Sequence, residues 1–467
     1  MKIHMRNLFF VLLGTFILMI VGFYNGYPLV YSDTGTYIYS GFDKFVPNDR
    51  PITYGLFLWF FSFRFSLWLV IVAQNLITAY VLYELLKLFL KQKGQTFHFL
   101  YISILLLLTF FTGIGWYSNQ IMPDFFAPVM VLTLIILIFN KELSLLKRIC
   151  LYIIFIISII VHLSHLLISL SLIVSYLALE RILYKKNVIE NYYLKLKNFF
   201  VILSLILISW LSLSLIHYTF GGGFKVSKSS GIFFTAHLAD CGLLEKYLKE
   251  NCEKSEFKSC RLCLFKDSLP NNLADFLWGP HSPYNQPNSW KSGEIECKAL
   301  IKKMLKTPKY LLLNVYKSAE YGFIQLFRNE IGQGLSAYNE GSPPYGQIHW
   351  RFKSELNNYL NSRQNRWGGA DLNLKVLNVF HLIILIISVF VLSYIFLIYS
   401  KSKNISPELF LFLIFCLLAI IINAFITAGL NAPCERFQAR VVWLLPLSLL
   451  IIIINNPDIF KQSFLKR

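Results

Sequence analysis

The chain predicts an all-α polytopic membrane protein. Three observations carry that reading. Of its 467 residues, 56% are hydrophobic and only 15% are charged, whereas soluble domains run near 25% charged. Mean hydropathy is +0.55. Apolar stretches also recur at lengths that suit a bilayer core of about 30 Å, which takes about 20 helical residues to cross. A soluble enzyme with one buried core is excluded, and so is a disordered chain, which would be poor in apolar residues.

Ten apolar stretches read as spans: 7–24, 66–90, 98–114, 125–139, 149–162, 165–180, 199–217, 376–399, 407–428 and 440–456. Several sit at the short limit. The first has a basic flank (Lys2, Arg6), but Tyr24-Asn25-Gly26-Tyr27-Pro28 follows it in place of a small-residue cleavage site. Basic residues set orientation. With the N-terminus inside, the segments 1–6, 84–97, 140–148, 180–198, 400–408 and 457–467 carry 18 Lys and Arg against 6 acids, a net +12. The short loops of the other side, 25–54, 115–124 and 429–440, hold only Lys44, Arg50, Arg436 and Arg440 as cations. The expectation is a multi-pass protein of the cytoplasmic (inner) membrane with both termini cytoplasmic. The formal charge of +19 is then mostly an orientation signal, and nucleic acid is a poor partner.

Three blocks follow: an N-terminal membrane module (1–217), an external, periplasmic domain (218–374), mostly helical, and a C-terminal membrane module (375–467). The external domain opens on Phe220-Gly221-Gly222-Gly223-Phe224, a flexible exit. Helical spacing marks 235–250 and 292–328, with Pro308 breaking the longer one. Segment 309–327 is aromatic and amphipathic and suits a helix lying along the membrane surface. The stretch 268–290, rich in proline, reads as ordered loop. Trp278, Trp290, Trp350 and Trp367 read as packing or interface residues, with sugar platforms as the other use. Six cysteines fall outside the spans: Cys241, Cys252, Cys260, Cys263, Cys297 and Cys434. They allow up to three disulfides, one of which could tie Cys434 to the large domain. Cys260-x-x-Cys263 could instead be a redox pair or a zinc half-site, without a second pair to complete it.

The chemistry-bearing residues sit in the short outer turns. The first loop reads Tyr31-Ser32-Asp33-Thr34-Gly35-Thr36-Tyr37, then Pro47-Asn48-Asp49-Arg50-Pro51. A carboxylate such as Asp33 at the membrane surface can act as general base, or as a helix cap. Arg50 could pair with a phosphate or with Asp33. The second loop ends in Met122-Pro123-Asp124-Phe125, an ionisable residue at a helix mouth, or again a cap. The third turn carries His162 and His165, which could bind phosphate, relay a proton, ligate a metal or simply stabilise a hairpin. The last loop reads Cys434-Glu435-Arg436-Phe437-Gln438-Ala439-Arg440. Two arginines four apart suit a lipid-linked phosphate, or they snorkel to the interface. Acids, cations and histidines at one membrane depth are what a lipid-phosphate site needs.

This pattern resembles the GT-C superfamily of polytopic glycosyltransferases, in a bacterial branch. The resemblance covers about 220 N-terminal residues and the last loop. It rests on Ser32-Asp33-Thr34-Gly35-Thr36-Tyr37 with Asp49-Arg50-Pro51, on Met122-Pro123-Asp124-Phe125, and on Glu435-Arg436-Phe437-Gln438-Ala439-Arg440. It implies a sugar donor on polyprenyl phosphate or diphosphate, with Asp33 and Asp124 catalytic and Asp33 the base. Arg50, Tyr37, His162, His165, Arg436 and Arg440 would face the donor or its phosphate. The acceptor would be a glycan, a lipid or a protein. Asp33 is followed by Thr34 where some branches have Asp-Glu, so no metal ligand is assigned and a divalent metal stays open. The 218–374 insertion is similar to external segments of bacterial membrane proteins and does not transfer an acceptor. Protein glycosylation of the oligosaccharyltransferase kind is one alternative. A transporter or flippase is another, weakened by the missing internal repeat; a cell-envelope assembly protein is a third.

Overall fold

The computed structural model describes residues 2–254, 260–286, 289–402 and 405–457. Among them the fold is helical, with no strand and one isolated parallel bridge, Leu29 to Gln120. Pro287 and most of the basic tail, 458–467, lie outside the described residues.

The N-terminal part contains α1 (Lys2–Leu18, continued to Asn25), α2 (Thr34–Asp43), α3 (Thr53–Phe61), α4 (Leu67–Phe89), α5 (Gly94–Phe111), α6 (Phe126–Phe139), α7 (Leu145–Ile160), α8 (Leu163–Lys185) and α9 (Leu196–Thr219). The intervening segment contributes α10 (Ser230–Asp240), α11 (Ser289–Lys306), α12 (Pro308–Leu326) and α13 (Pro343–Arg351). The chain closes with α14 (Lys375–Ser402), α15 (Pro407–Leu430), α16 (Glu435–Ala439) and α17 (Leu444–Asn455). Local chemistry starts these helices where expected. The Ser66 and Ser406 hydroxyls accept from Trp68 N and Leu409 N at the heads of α4 and α15, as N-caps do.

Among the described residues, 8 helices are long and apolar enough to cross a membrane: Met5–Asn25, α4, α5, α8, α9, Lys375–Leu397, α15 and Glu435–Asn455. Two of the ten expected spans fall short. At 125–139 the helix is the 14-residue α6, and every one of its residues is buried. It is short because it is a core helix walled by other helices, which needs no bilayer-length apolar surface. At 149–162 the helix is the 16-residue α7, which buries only one stripe, including Leu151, Phe155 and Ile159.

The 218–374 segment is built in two parts. Residues from Ile232 to Tyr310 form their own apolar core. Leu313 and Tyr321 still pack against its edge, but farther on Ile348, Phe352 and Tyr359 belong to the main core, and Ile331 packs with Leu29 and Trp116. Pro308 does end one helix, and it opens the next as its first residue. The stretch 268–290 is not all loop, since Leu273–Trp278 is helical with its Asn272 cap. Segment 309–327 forms α12, which packs alongside α15 rather than standing clear of the bundle. Trp290 is half-buried against Phe233, while Trp278, Trp350 and Trp367 are largely exposed.

The cysteine expectation needs correction. Among the described residues one disulfide forms, Cys252 to Cys263. It consumes half of the Cys260-x-x-Cys263 pair, so neither a redox pair nor a zinc half-site is assembled there. Cys434 is not tied to the large domain by a bond; its thiol donates to Gln333 Oε1 at 2.8 Å.

Candidate functional site

The site is assembled from four turns at one end of the bundle. Gly26, with φ +81°, ends the first helix in the left-handed conformation that glycine tolerates. The chain then runs without helix through Tyr27–Val30. Leu29 bridges to the second loop, its N–H donating to Asn119 O and its carbonyl accepting from Ile121 N. Thr34 Oγ1 donates to Ile121 O at 3.0 Å. Inside α4, the amides of Gln74 and Asn75 donate to Ser118 O and Gln120 O. From the far side of the sequence, Gln364 takes Val30 N on Oε1 and gives Nε2 to Val30 O. The first two loops are therefore zipped together and fixed from both sides, which sets Asp33 and Asp124 on one wall.

Asp33 stands at the head of α2 and Asp124 in the single turn Pro123–Phe125, yet neither side chain caps its helix. Their carboxylates meet arginines instead. Arg50 Nη1 lies 2.9 Å from Asp33 Oδ2, and Arg50 Nε donates to Asp49 Oδ2 at 3.0 Å. Arg440 Nη1 donates to Asp124 Oδ1 at 3.0 Å and its Nη2 to Asn423 Oδ1 at 3.3 Å. Arg436 lies between the two acids, 3.8 Å from Asp33 and 3.7 Å from Asp124. The i, i+4 spacing of Arg436 and Arg440 puts both on one face of the α16 turn. Arg440 is fully buried, so it does not snorkel.

The array is charge-balanced but incompletely bonded. Asp33, Asp49 and Asp124 face Arg50, Arg436 and Arg440. Arg436 Nε and Nη1, Arg440 Nε, Asp124 Oδ2 and His165 Nε2 are buried without a hydrogen-bond partner. Buried polar atoms are usually paired, and unpaired ones cost about 1–3 kcal/mol each. The unused N–H groups of Arg436 and Arg440 can cradle an anion, while Asp124 Oδ2 and His165 Nε2, whose ring donates from Nδ1 to Ser158 O, are acceptors. Accessibility separates the acids: the Asp33 side chain is 25% exposed and the Asp124 side chain 1%. Burial alone would raise the Asp33 carboxyl, but Arg50 and then Arg436 outweigh it and hold it below the ordinary carboxylate range. It is an anion at neutral pH.

The remaining candidates fall into place around this array. His162 and His165 stack with ring centroids 4.9 Å apart. His162 Nδ1 accepts from Ser164 N, capping α8, so the stabilising use of this histidine is real. Burial first, then His165 and the arginines, pushes His162 well below its ordinary value, which keeps it neutral. His165 Nδ1 is bonded to Ser158 O at 2.6 Å, leaving Nε2 as the atom available to a ligand. Tyr37 presents its ring to Arg50, 5.1 Å from the guanidinium carbon.

Several participants escaped the sequence reading. Tyr31 lies under Arg436 at 4.4 Å as a cation–π platform. Asn423 holds Arg440 and, through Nδ2, Phe437 O. A lone amide inside the apolar span 407–428 was the available signal for Asn423. Gln364 gave none. Glu435 turns away from the array to Arg328. Each of the three acids has an arginine partner, and among the described residues no cluster of three or more His, Cys, Asp or Glu could hold a metal ion.

Compared with protein families, with curated proteins and with solved structures, the chain matches none. The class these observations define is a multi-helix protein with spans of membrane length and a buried acid–arginine array at one end.

Proposed function

We propose that the protein is a GT-C-type glycosyltransferase of the cytoplasmic membrane. It would move a sugar from a polyprenyl phosphate or diphosphate to an acceptor on the outer face, with both termini inside. The observation that supports this most is the pairing of unpartnered arginine N–H groups, on Arg436 and Arg440, with a partly exposed, ionised Asp33 at the same site.

The chemistry follows from those roles. The donor phosphate binds at Arg436 and Arg440. The acceptor hydroxyl attacks the anomeric carbon. The carbon–oxygen bond to phosphate breaks, its electron pair goes to the phosphate, and the hydroxyl proton goes to Asp33. Attack opposite the leaving group inverts the carbon. The leaving phosphate gains charge, which preplaced cations stabilise. An anion that takes over Arg436 also removes one of the two cations holding Asp33 down, so donor binding raises the basicity of the base. Asp124, buried and bonded to Arg440, positions the arginines. The acceptor is a glycan, a lipid or an exported protein; the last would make the reaction oligosaccharyltransferase-like.

The test is transfer in proteoliposomes with a polyprenyl-phosphate sugar. Asp33→Asn should lose about 10²–10⁴ of the rate while eluting as wild type. Undiminished transfer by that variant would sink the reading.

A further inference from the structure

Helix α12 presents two unlike faces. One packs on α15. The position a Gly322 side chain would take is filled by the Phe425 ring, and Gly429 lies against Ser318. Four residues forward on α12 correspond to four residues back on α15, so the helices run side by side in opposite directions. Farther along, Gln325 bonds Cys434 through both its amide atoms. The second half of α12 is therefore level with the last turns of α15, a helix of membrane-crossing length. At 1.5 Å per residue, Phe327 lies roughly 7 Å beyond Gly322 toward the bundle centre.

The other face carries Leu311, Leu312, Val315, Tyr316, Phe323 and Phe327, exposed by 45%, 69%, 58%, 65%, 61% and 70%. The one charge beside it between Tyr316 and Phe323, Glu320, is paired with Lys317 at 2.8 Å. Its deep half is continuous with the exposed Ile421 and Phe425 of α15. An apolar strip of this length on a water-facing surface would be unusual.

We propose that the C-terminal half of α12 is a half-membrane helix whose open face contacts the acyl chains of the leaflet on the site side. The chain enters that leaflet along α15 and returns through 328–342, where Arg328 pairs with Glu435 at the edge of the arginine array. This does not rest on the glycosyltransferase reading. It makes the wall beside the array a lipid-contacting one.

The test is photocrosslinking of the full chain in vesicles of phosphatidylethanolamine and phosphatidylglycerol. p-Benzoylphenylalanine is placed singly at Phe323, at Phe390 on α14 (71% exposed) and at Leu264 in the 232–310 unit (83% exposed). Intact mass should show a phospholipid adduct at Phe323 within about threefold of Phe390 and roughly tenfold above Leu264, as lipid immersion requires. An adduct no greater than that at Leu264 overturns the proposal. So does a crosslink from Phe323 into a second copy of the chain. The readout is lipid attachment, so its failure is distinct from loss of transfer.

Discussion

Two buried carboxylates near opposite ends of α8 differ in what surrounds them. Glu180 is fully buried, and its oxygens accept from Tyr176 Oη, Tyr193 N and Leu194 N. It closes the turn between α8 and α9. At the far end of α8, fifteen residues or about 22 Å away by helix rise, His165 borders the array where Asp124 is equally buried. There one Asp124 oxygen and several arginine nitrogens are left without partners. A buried charge with every partner in place is spent on structure. A buried charge beside unused donors has kept capacity for something else. That contrast separates the functional end of the molecule from the structural end without reference to any relative.

Breaking the array and breaking the Glu180 knot should have opposite signatures. The largest effect expected on activity is Asp33→Asn, while Glu180→Gln should leave transfer per folded molecule near wild type and lower thermal stability instead. Activity assay and melting curve on the same samples read both. Next comes Arg436→Ala, expected to cost about 10²–10³ in kcat/KM, mainly as weaker donor saturation; unchanged donor saturation would deny Arg436 its phosphate role.

Arg440→Ala tests how charge is held. It strands Asp124 in the interior and should destabilise by about 3–5 kcal/mol. Removing both charges, Arg440→Met with Asp124→Leu, should recover much of that stability but not transfer. Chemical unfolding of the two variants decides it.

The pH prediction follows from Asp33. Its carboxyl is lowered in the folded state, so its contribution to stability is complete above the unfolded value near 4 and is lost as pH falls through the lower folded value. The acid limb of kcat/KM should accordingly lie below about 4, with no step between 6 and 7 from His162, which burial keeps neutral. An inflection near 6.5 that disappears in His162→Gln would overturn that assignment.

The smallest expected effect is Cys252→Ser. Opening a loop of sequence separation 11 should destabilise the 232–310 unit by roughly 2–3 kcal/mol. Transfer should stay within about twofold, because that unit has its own core and independent sites act additively.

Composition and apolar run length were enough to specify helices of membrane length, because the bilayer imposes one requirement on every span and each run satisfies it locally. At α6 they leave the reading open, since a buried core helix and a short span have the same sequence signature. The arginines four apart on the α16 turn could be read locally, and so could the acids after the first span and before α6. Which acid faces which arginine could not. Asp33 meets Arg50 within one loop, but Asp124 meets Arg440 across 316 positions, and Gln364 clamps Val30 across 334. Pairings at such separation are set by how the helices pack and not by any local pattern. The same holds for α12: its amphipathicity was plain in the sequence, while its depth beside α15 depends on Gly322 and Gly429 allowing close approach. Local physics chose the elements; only tertiary packing decided that Arg436, with unused donors, would stand between a partly exposed Asp33 and a buried Asp124.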